Sequence, residues 1–241
     1  LSEHPLVAEV DATAGFLNLR FNWAQVAGET LKWAQSDDGA IGHSDALAGQ
    51  KIVIEYSSPN TNKPLHLGHC RNNVLGAIMS SILKTAGAEV VRVNLINDRG
   101  IHICKSMVAY RRDGDGVTPE SSGKKGDHLV GDFYVRFDQL FSAEYQAWTT
   151  TSGETLSKDD FFNSDHSEIG RETREMLQAW EAGDEDVRSL WRTMNGWCEA
   201  GFNETYERMG VGFERVYRES ETYLLGKDLI AQGLDTGVFG H

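Results

Sequence analysis

Within 45 residues the chain reads strand, helix, strand, and that succession constrains its fold more than any other feature. Lys51–Tyr56 (KIVIEY) is a short β-branched run of the kind that forms a buried strand. From Leu67 to Ala86 the apolar residues Leu67, Val74, Leu75, Ile78, Ile82 and Leu83 recur at helical spacing, and Gly87 is a natural stop. Glu89–Leu95 (EVVRVNL) is a second strand. A βαβ unit of this length implies a parallel sheet with a right-handed crossover. A further helix is predicted over Ile101–Arg112. Ahead of the unit, residues 14–22 alternate as a strand and residues 23–35 suit a helix. Residues 113–127, polar and rich in glycine, are predicted to be a mobile loop. The sequence beyond it is helical nearly to the end, with packing stripes Ile169, Met176, Leu177, Trp180 and Val187, Leu190, Trp191, Met194, Cys198. Gly210–Tyr217 is predicted to return to the sheet, and a last helix to cover residues 222–232. No second βαβ half follows, so the sheet is expected to be incomplete, and a chain opening on Leu1 reads as a piece of a longer product.

The functional stretch lies between the first strand and its helix, in EYSSPNTNKPLHLGHCRNN at residues 55–73. In an open parallel sheet, ligands bind beyond the carboxyl ends of the strands, where free helix N–H groups favour an anion. His66 and His69, three apart, share one face of the first turn and can donate to phosphate oxygens. Gly68, lacking a Cβ, admits a close ligand; Lys63 adds a point charge and Pro59 stiffens the loop. A helix cap or surface histidine is an alternative for each imidazole. H-x-x-H can also hold a metal, but no third ligand is evident nearby, so no metal site is assigned.

Charge fits a phosphate-bearing ligand. The chain carries a net charge of −13, yet residues 51–112 hold 9 Lys/Arg against 3 Asp/Glu, a local balance of +6. Three widely spaced cysteines, Cys70, Cys104 and Cys198, argue for reduced, buried thiols rather than a disulfide framework. No apolar run approaches a membrane span, and the chain is expected to be cytoplasmic.

The longer string S-P-N-T-N-K-P-L-H-L-G-H-C-R-N resembles the HIGH signature of class I aminoacyl-tRNA synthetases in its arginyl-tRNA synthetase form. V-N-L-I-N-D-R-G at 93–100, Y-R-E-S-E-T-Y at 217–223 and G-F-L-N-L-R-F at 15–21 fit the same family. The resemblance implies a Rossmann-like, HUP-like α/β catalytic domain with a largely helical insertion. Residues 1–50 would end an N-terminal tRNA-binding domain and 51–112 form the first half of the catalytic domain. Residues 113–209 would be the insertion and 210–241 the return to the catalytic domain. It further implies ATP, accompanied by Mg2+, L-arginine and tRNA(Arg) as partners of a monomeric ligase. His66, Gly68 and His69 would take the ATP role, with Lys63 standing in for the lysine of K-M-S-K-S, a segment not found in this chain. Glu55, Ser57 and Asn60 would hold the amino acid's α-amino and carboxylate groups and Glu219 its guanidinium, with Tyr56 and Asp98 as further candidates. Another H-x-G-H nucleotidyltransferase that adenylates a small acid, or a catalytically inactive binding fragment, would be the alternatives.

Overall fold

The computed structural model describes residues 3–36 and 42–240. By their internal contacts, residues 1–52 with 81–89 make up one compact unit, and residues 53–80 with 90–241 a second.

In the first unit, β1 (Val7–Thr13) and β2 (Phe16–Phe21) form an antiparallel hairpin. Ala14 and Gly15, read from sequence as the start of a strand, are instead its turn. Both have positive φ (53° and 84°), the two-residue geometry whose twist matches the flanking strands. Asn22 caps α1 (Trp23–Gln35), its Oδ1 accepting from Gln25 N at 3.3 Å. Strand β1 was not foreseen. It is exposed along most of its length, so no buried face imposes an apolar alternation on its sequence.

The βαβ reading holds closely: β3 is Lys51–Glu55, α2 Leu67–Thr85 and β4 Glu89–Ile96. The helix stops where expected, at Gly87, whose φ is 95°. Strand β5 (Arg215–Arg218) pairs parallel to β4, with Asn94 opposite Val216, and gives a three-stranded sheet of order β3-β4-β5. Helix α2 can approach β3 because residue 76 is glycine: a Cβ there would lie 2.3 Å from the ring of Tyr56.

The largest core belongs to the helices. After α3 (Ile101–Asp113), the predicted mobile loop holds a short helix, α4 (Pro119–Ser122). Thr118 and Ser121 form a reciprocal capping box at its start, with Pro119 in the first turn. Then come α5 (Gly126–Ser152), α6 (Lys158–Asn163), α7 (Glu168–Ala182) and α8 (Glu185–Met209). Ile103, Met107, Val108, Val130, Phe137, Phe161, Ile169, Met176, Met194, Cys198 and Phe202 are buried together. Both foreseen stripes pack into this core. Burial pushes the thiol of Cys104 up to about 12 and that of Cys198 higher still. Cys70, expected to be buried, is instead half-exposed in the first turns of α2. The last helix, α9 (Glu219–Asp235), begins directly at the end of β5, three residues earlier than predicted. Among the described residues, no helix is long and apolar enough to cross a membrane.

Candidate functional site

Chain leaving β3 turns sharply. Ser57 and Ser58 both have positive φ, 74° and 45°, a conformation that glycine adopts freely and serine only when held. Strain of this kind costs on the order of 1–3 kcal/mol per residue and gathers at ligand sites. Asn94 of β4 takes up the turn, its Oδ1 accepting from Ser58 N at 3.0 Å. Its Nδ2 donates to Tyr206 Oη at 3.4 Å, and Tyr206 Oη pairs with Ser57 Oγ at 2.6 Å. Ser57 is therefore turned inward. The serine beside the candidate ligand Glu55 is Ser58, whose Oγ donates to Glu55 Oε1 at 2.9 Å. Tyr56 is also committed, its ring buried and its hydroxyl donating to the Gly212 carbonyl at 2.8 Å.

The loop then runs beside the end of β4. Asn97 N donates to the carbonyl of the buried Pro59, Thr61 N donates to the Asn97 carbonyl, and a parallel bridge joins Asn60 to Asn97. The Asn97 side chain links two candidates. Its amide nitrogen donates to Glu219 Oε2 and to the Arg99 carbonyl (3.2 Å), and its oxygen lies 3.3 Å from the side-chain amide of Asn60. This orientation of the amide sets its donor against the acceptors of Glu219 and Arg99. Asn60 and Glu219, 159 residues apart by their numbers, thus meet through a residue that sequence reasoning did not single out.

Glu219 is the first residue of α9, and what fixes that helix start is Asp98. Its Oδ1 accepts from Ser220 N at 2.8 Å and its Oδ2 from Ser220 Oγ at 2.6 Å, at 1% exposure. Asp98 was a further candidate for the pocket. Its carboxylate caps α9, while α3 starts at Gly100 without a side-chain cap. Burial raises the Asp98 carboxyl above its ordinary range, against the lowering effect of the Ser220 hydrogen bonds.

At the start of α2 the two imidazoles stand 4.0 Å apart, centroid to centroid. His66 N donates to His69 Nδ1 (3.1 Å), and Gly68 N donates to His66 Nδ1 (3.0 Å). With each Nδ1 acting as an acceptor, each neutral ring carries its proton on Nε2, the atom left for a ligand. A Cβ at Gly68 would lie 2.8 Å from His66 Cε1, so a larger residue there would have to shift the imidazole from this position. Partial burial, followed by the nearby His66 and Lys63, holds His69 below the ordinary histidine range. Lys63 is exposed at the same place, and it also helps to lower His102. Among the described residues no group of three or more His, Cys, Asp or Glu could hold a metal ion.

A parallel sheet whose first crossover helix opens on H-x-G-H, with acidic and amide side chains gathered at the strand ends, is the architecture of a Rossmann-like α/β domain. The sequence model of the family described as tRNA synthetases class I (R), catalytic domain, matches residues 34–235, and the chain belongs to that family. It is 49% identical over 243 residues to the arginine–tRNA ligase of Porphyromonas gingivalis, covering 99% of this chain and 39% of the relative. With the arginine–tRNA ligase of Bacteroides thetaiotaomicron the identity is 50% over 240 residues, with the same coverage of 99% and 39%. Among solved structures, Thermus thermophilus arginyl-tRNA synthetase superposes with a TM-score of 0.64 at 25% identity, over 93% of this chain and 32% of that one. The arginyl-tRNA synthetase of Plasmodium falciparum shares the fold, with a TM-score of 0.56 at 14% identity over 96% and 37% of the two chains. The chain thus spans about two fifths of the length of its curated relatives.

Proposed function

We propose that the complete protein is an arginine–tRNA ligase, which couples arginine to ATP and passes the arginyl group to the terminal ribose of tRNA(Arg). The observation that carries this reading is the 49% identity, across 99% of the chain, to relatives bearing that name. In the first step an arginine carboxylate oxygen bonds to the α-phosphorus, the bond to the bridging oxygen breaks, and pyrophosphate leaves with the electron pair. Negative charge then builds on phosphate oxygens, where preorganised donors contribute most. His66 and His69 supply such donors at Nε2, fixed by the backbone N–H groups that occupy each Nδ1. Gly68 provides the space, Lys63 adds positive charge, and the buried Pro59 fixes the loop.

On the amino-acid side, Glu55 with Ser58 and Asn60 receive the α-amino and carboxylate groups, and Glu219 receives the guanidinium. Ser57, Tyr56 and Asp98 support that side without facing it, since their polar atoms are bonded to Tyr206, Gly212 and Ser220. Magnesium enters this reading only with the nucleotide, because the described residues offer no cluster for an ion of their own.

In the same reading, residues 1–50 belong to a tRNA-binding region, 51–112 and 210–241 to the catalytic domain, and 113–209 to its insertion. The protein acts as a cytoplasmic monomer. The acidic segment 151–241 is not the main tRNA surface.

Arginine-dependent exchange of pyrophosphate into ATP by the complete protein, with tRNA added, tests the proposal. Exchange with a different amino acid, or none with arginine in the presence of tRNA, overturns it.

A further inference from the structure

Two successive serines with left-handed backbone need something to hold them, and two residues do so without reaching a ligand. Asn94 is 1% exposed and Tyr206 6%, and every hydrogen bond described for their side chains points inward. Asn94 uses both ends of its amide, accepting from Ser58 N and donating to Tyr206 Oη, which closes the chain on Ser57 Oγ. Phe213 packs edge-on against Tyr206, with centroids 5.1 Å apart, and also against Tyr56 at 4.7 Å. The turn held this way lies between Glu55 and Asn60 and sets the direction of both.

We propose that Asn94 and Tyr206 are positioning residues. They clamp residues 57 and 58 in a conformation that serine does not hold by itself, and so aim Glu55, Ser58 and Asn60 at the amino acid. Tyr206 belongs to α8, so the helical insertion takes part in the amino-acid site through a side chain that is itself buried. The clamp rests on geometry alone; its link to arginine rests on the functional reading above.

A cycle of Tyr206→Phe, Ser57→Gly and the double variant in the complete protein tests both parts. Tyr206→Phe strands the buried Ser57 hydroxyl and releases the turn. It is expected to raise the KM for arginine about tenfold while the KM for ATP stays within about twofold. Adding Ser57→Gly removes the stranded hydroxyl and supplies a residue at ease with positive φ. The double variant should therefore regain most of the arginine KM and melt at a higher temperature than Tyr206→Phe alone. Equal rises in both KM values, or a double variant that recovers neither KM nor melting temperature, would overturn the clamp. If the unaltered protein exchanges no pyrophosphate with arginine, the functional reading fails, and the melting temperatures still decide the clamp.

Discussion

Two imidazoles whose Nδ1 atoms already accept backbone N–H groups have only Nε2 to offer, and protonating His69 would set N–H against N–H at its Nδ1. His69 should therefore resist protonation, and partial burial, then His66 and Lys63 nearby, act in the same direction. In a two-dimensional NMR titration, its ring signals are expected to move with a midpoint below the ordinary value of 6.5. Because the folded pKa is depressed, the stability this residue contributes is fully present above pH 6.5. It is lost as the pH falls through the lower folded value. A midpoint at or above 6.5 would remove the hydrogen-bonding account. Its neighbour should matter to rate: His66→Ala is expected to slow adenylation by about 10²–10³ with little change in arginine binding, read from single-turnover and KM measurements. Glu219→Gln, which keeps the shape but removes the charge proposed to receive a guanidinium, should act mainly on the arginine KM, and an unaltered KM would take Glu219 out of the pocket. The histidines, Gly68, Lys63 and Glu219 could be singled out from sequence because they sit in compact motifs. Ser58, Asn94, Asn97 and Tyr206 could not. Their significance comes from hydrogen bonds between residues far apart in the chain, such as the 149-residue span from Ser57 to Tyr206. Only Asn94 and Asn97 left a trace, as polar residues in and just after a buried strand, where an unpaired amide would be costly.

Among the elements, α9 depends most on a residue outside itself. Its own N-cap position, Arg218, makes no side-chain capping bond, and Asp98 supplies the acceptors from the end of β4. Asp98→Ala would strand Ser220 N and Oγ at a half-buried helix start, a loss of about 1–3 kcal/mol. A lower melting temperature and a higher arginine KM are expected together, since Glu219 precedes Ser220 in the same turn. Asp98→Asn retains an acceptor for Ser220 N and should cost clearly less; an equal loss would show that the charge of the carboxylate, not its place as an acceptor, decides the effect. Elements with a clear apolar run or spacing were the legible ones, and β3, α2, β4 and α3 fall within a residue or so of their expected limits, although apolar residues of β3 and α2 stay exposed, as at Val53 (63%) and Ile78 (53%). Two failures have local causes. Strand β1 is too exposed to show a pattern, and α4 is a single turn whose capping signals, Thr118, Pro119 and Ser121, sit among the glycines and charges of a loop-like stretch.

Over the whole molecule, the buried core and the candidate site reside in different parts of the chain. The candidate site lies at the ends of three short strands, several of whose apolar residues remain exposed, as at Val53 (63%) and Val216 (42%). The buried core lies mainly in α3 and α5 to α8, with Phe161 at 0% exposure among the rings of Phe141, Tyr145 and Trp148 at 5.9, 5.3 and 4.9 Å. The helical periodicity made that body legible, but not which aromatic would be its centre, because Phe161 comes from a six-residue helix with too few turns to show a stripe. Phe161→Ala would remove a ring from a close-packed interior, a loss of about 3–5 kcal/mol where domains commonly have about 5–15 in all. Its urea midpoint should fall far below that of the unaltered chain, with near- and far-ultraviolet circular dichroism lost together as α5, α6 and α7 give way cooperatively. Val53→Ala, on the exposed face of β3, should stay within about 0.5 kcal/mol of the parent. If the two variants lost similar stability, the helical body would not be what holds the site in place, and the contribution of α8 through Tyr206 would need another support.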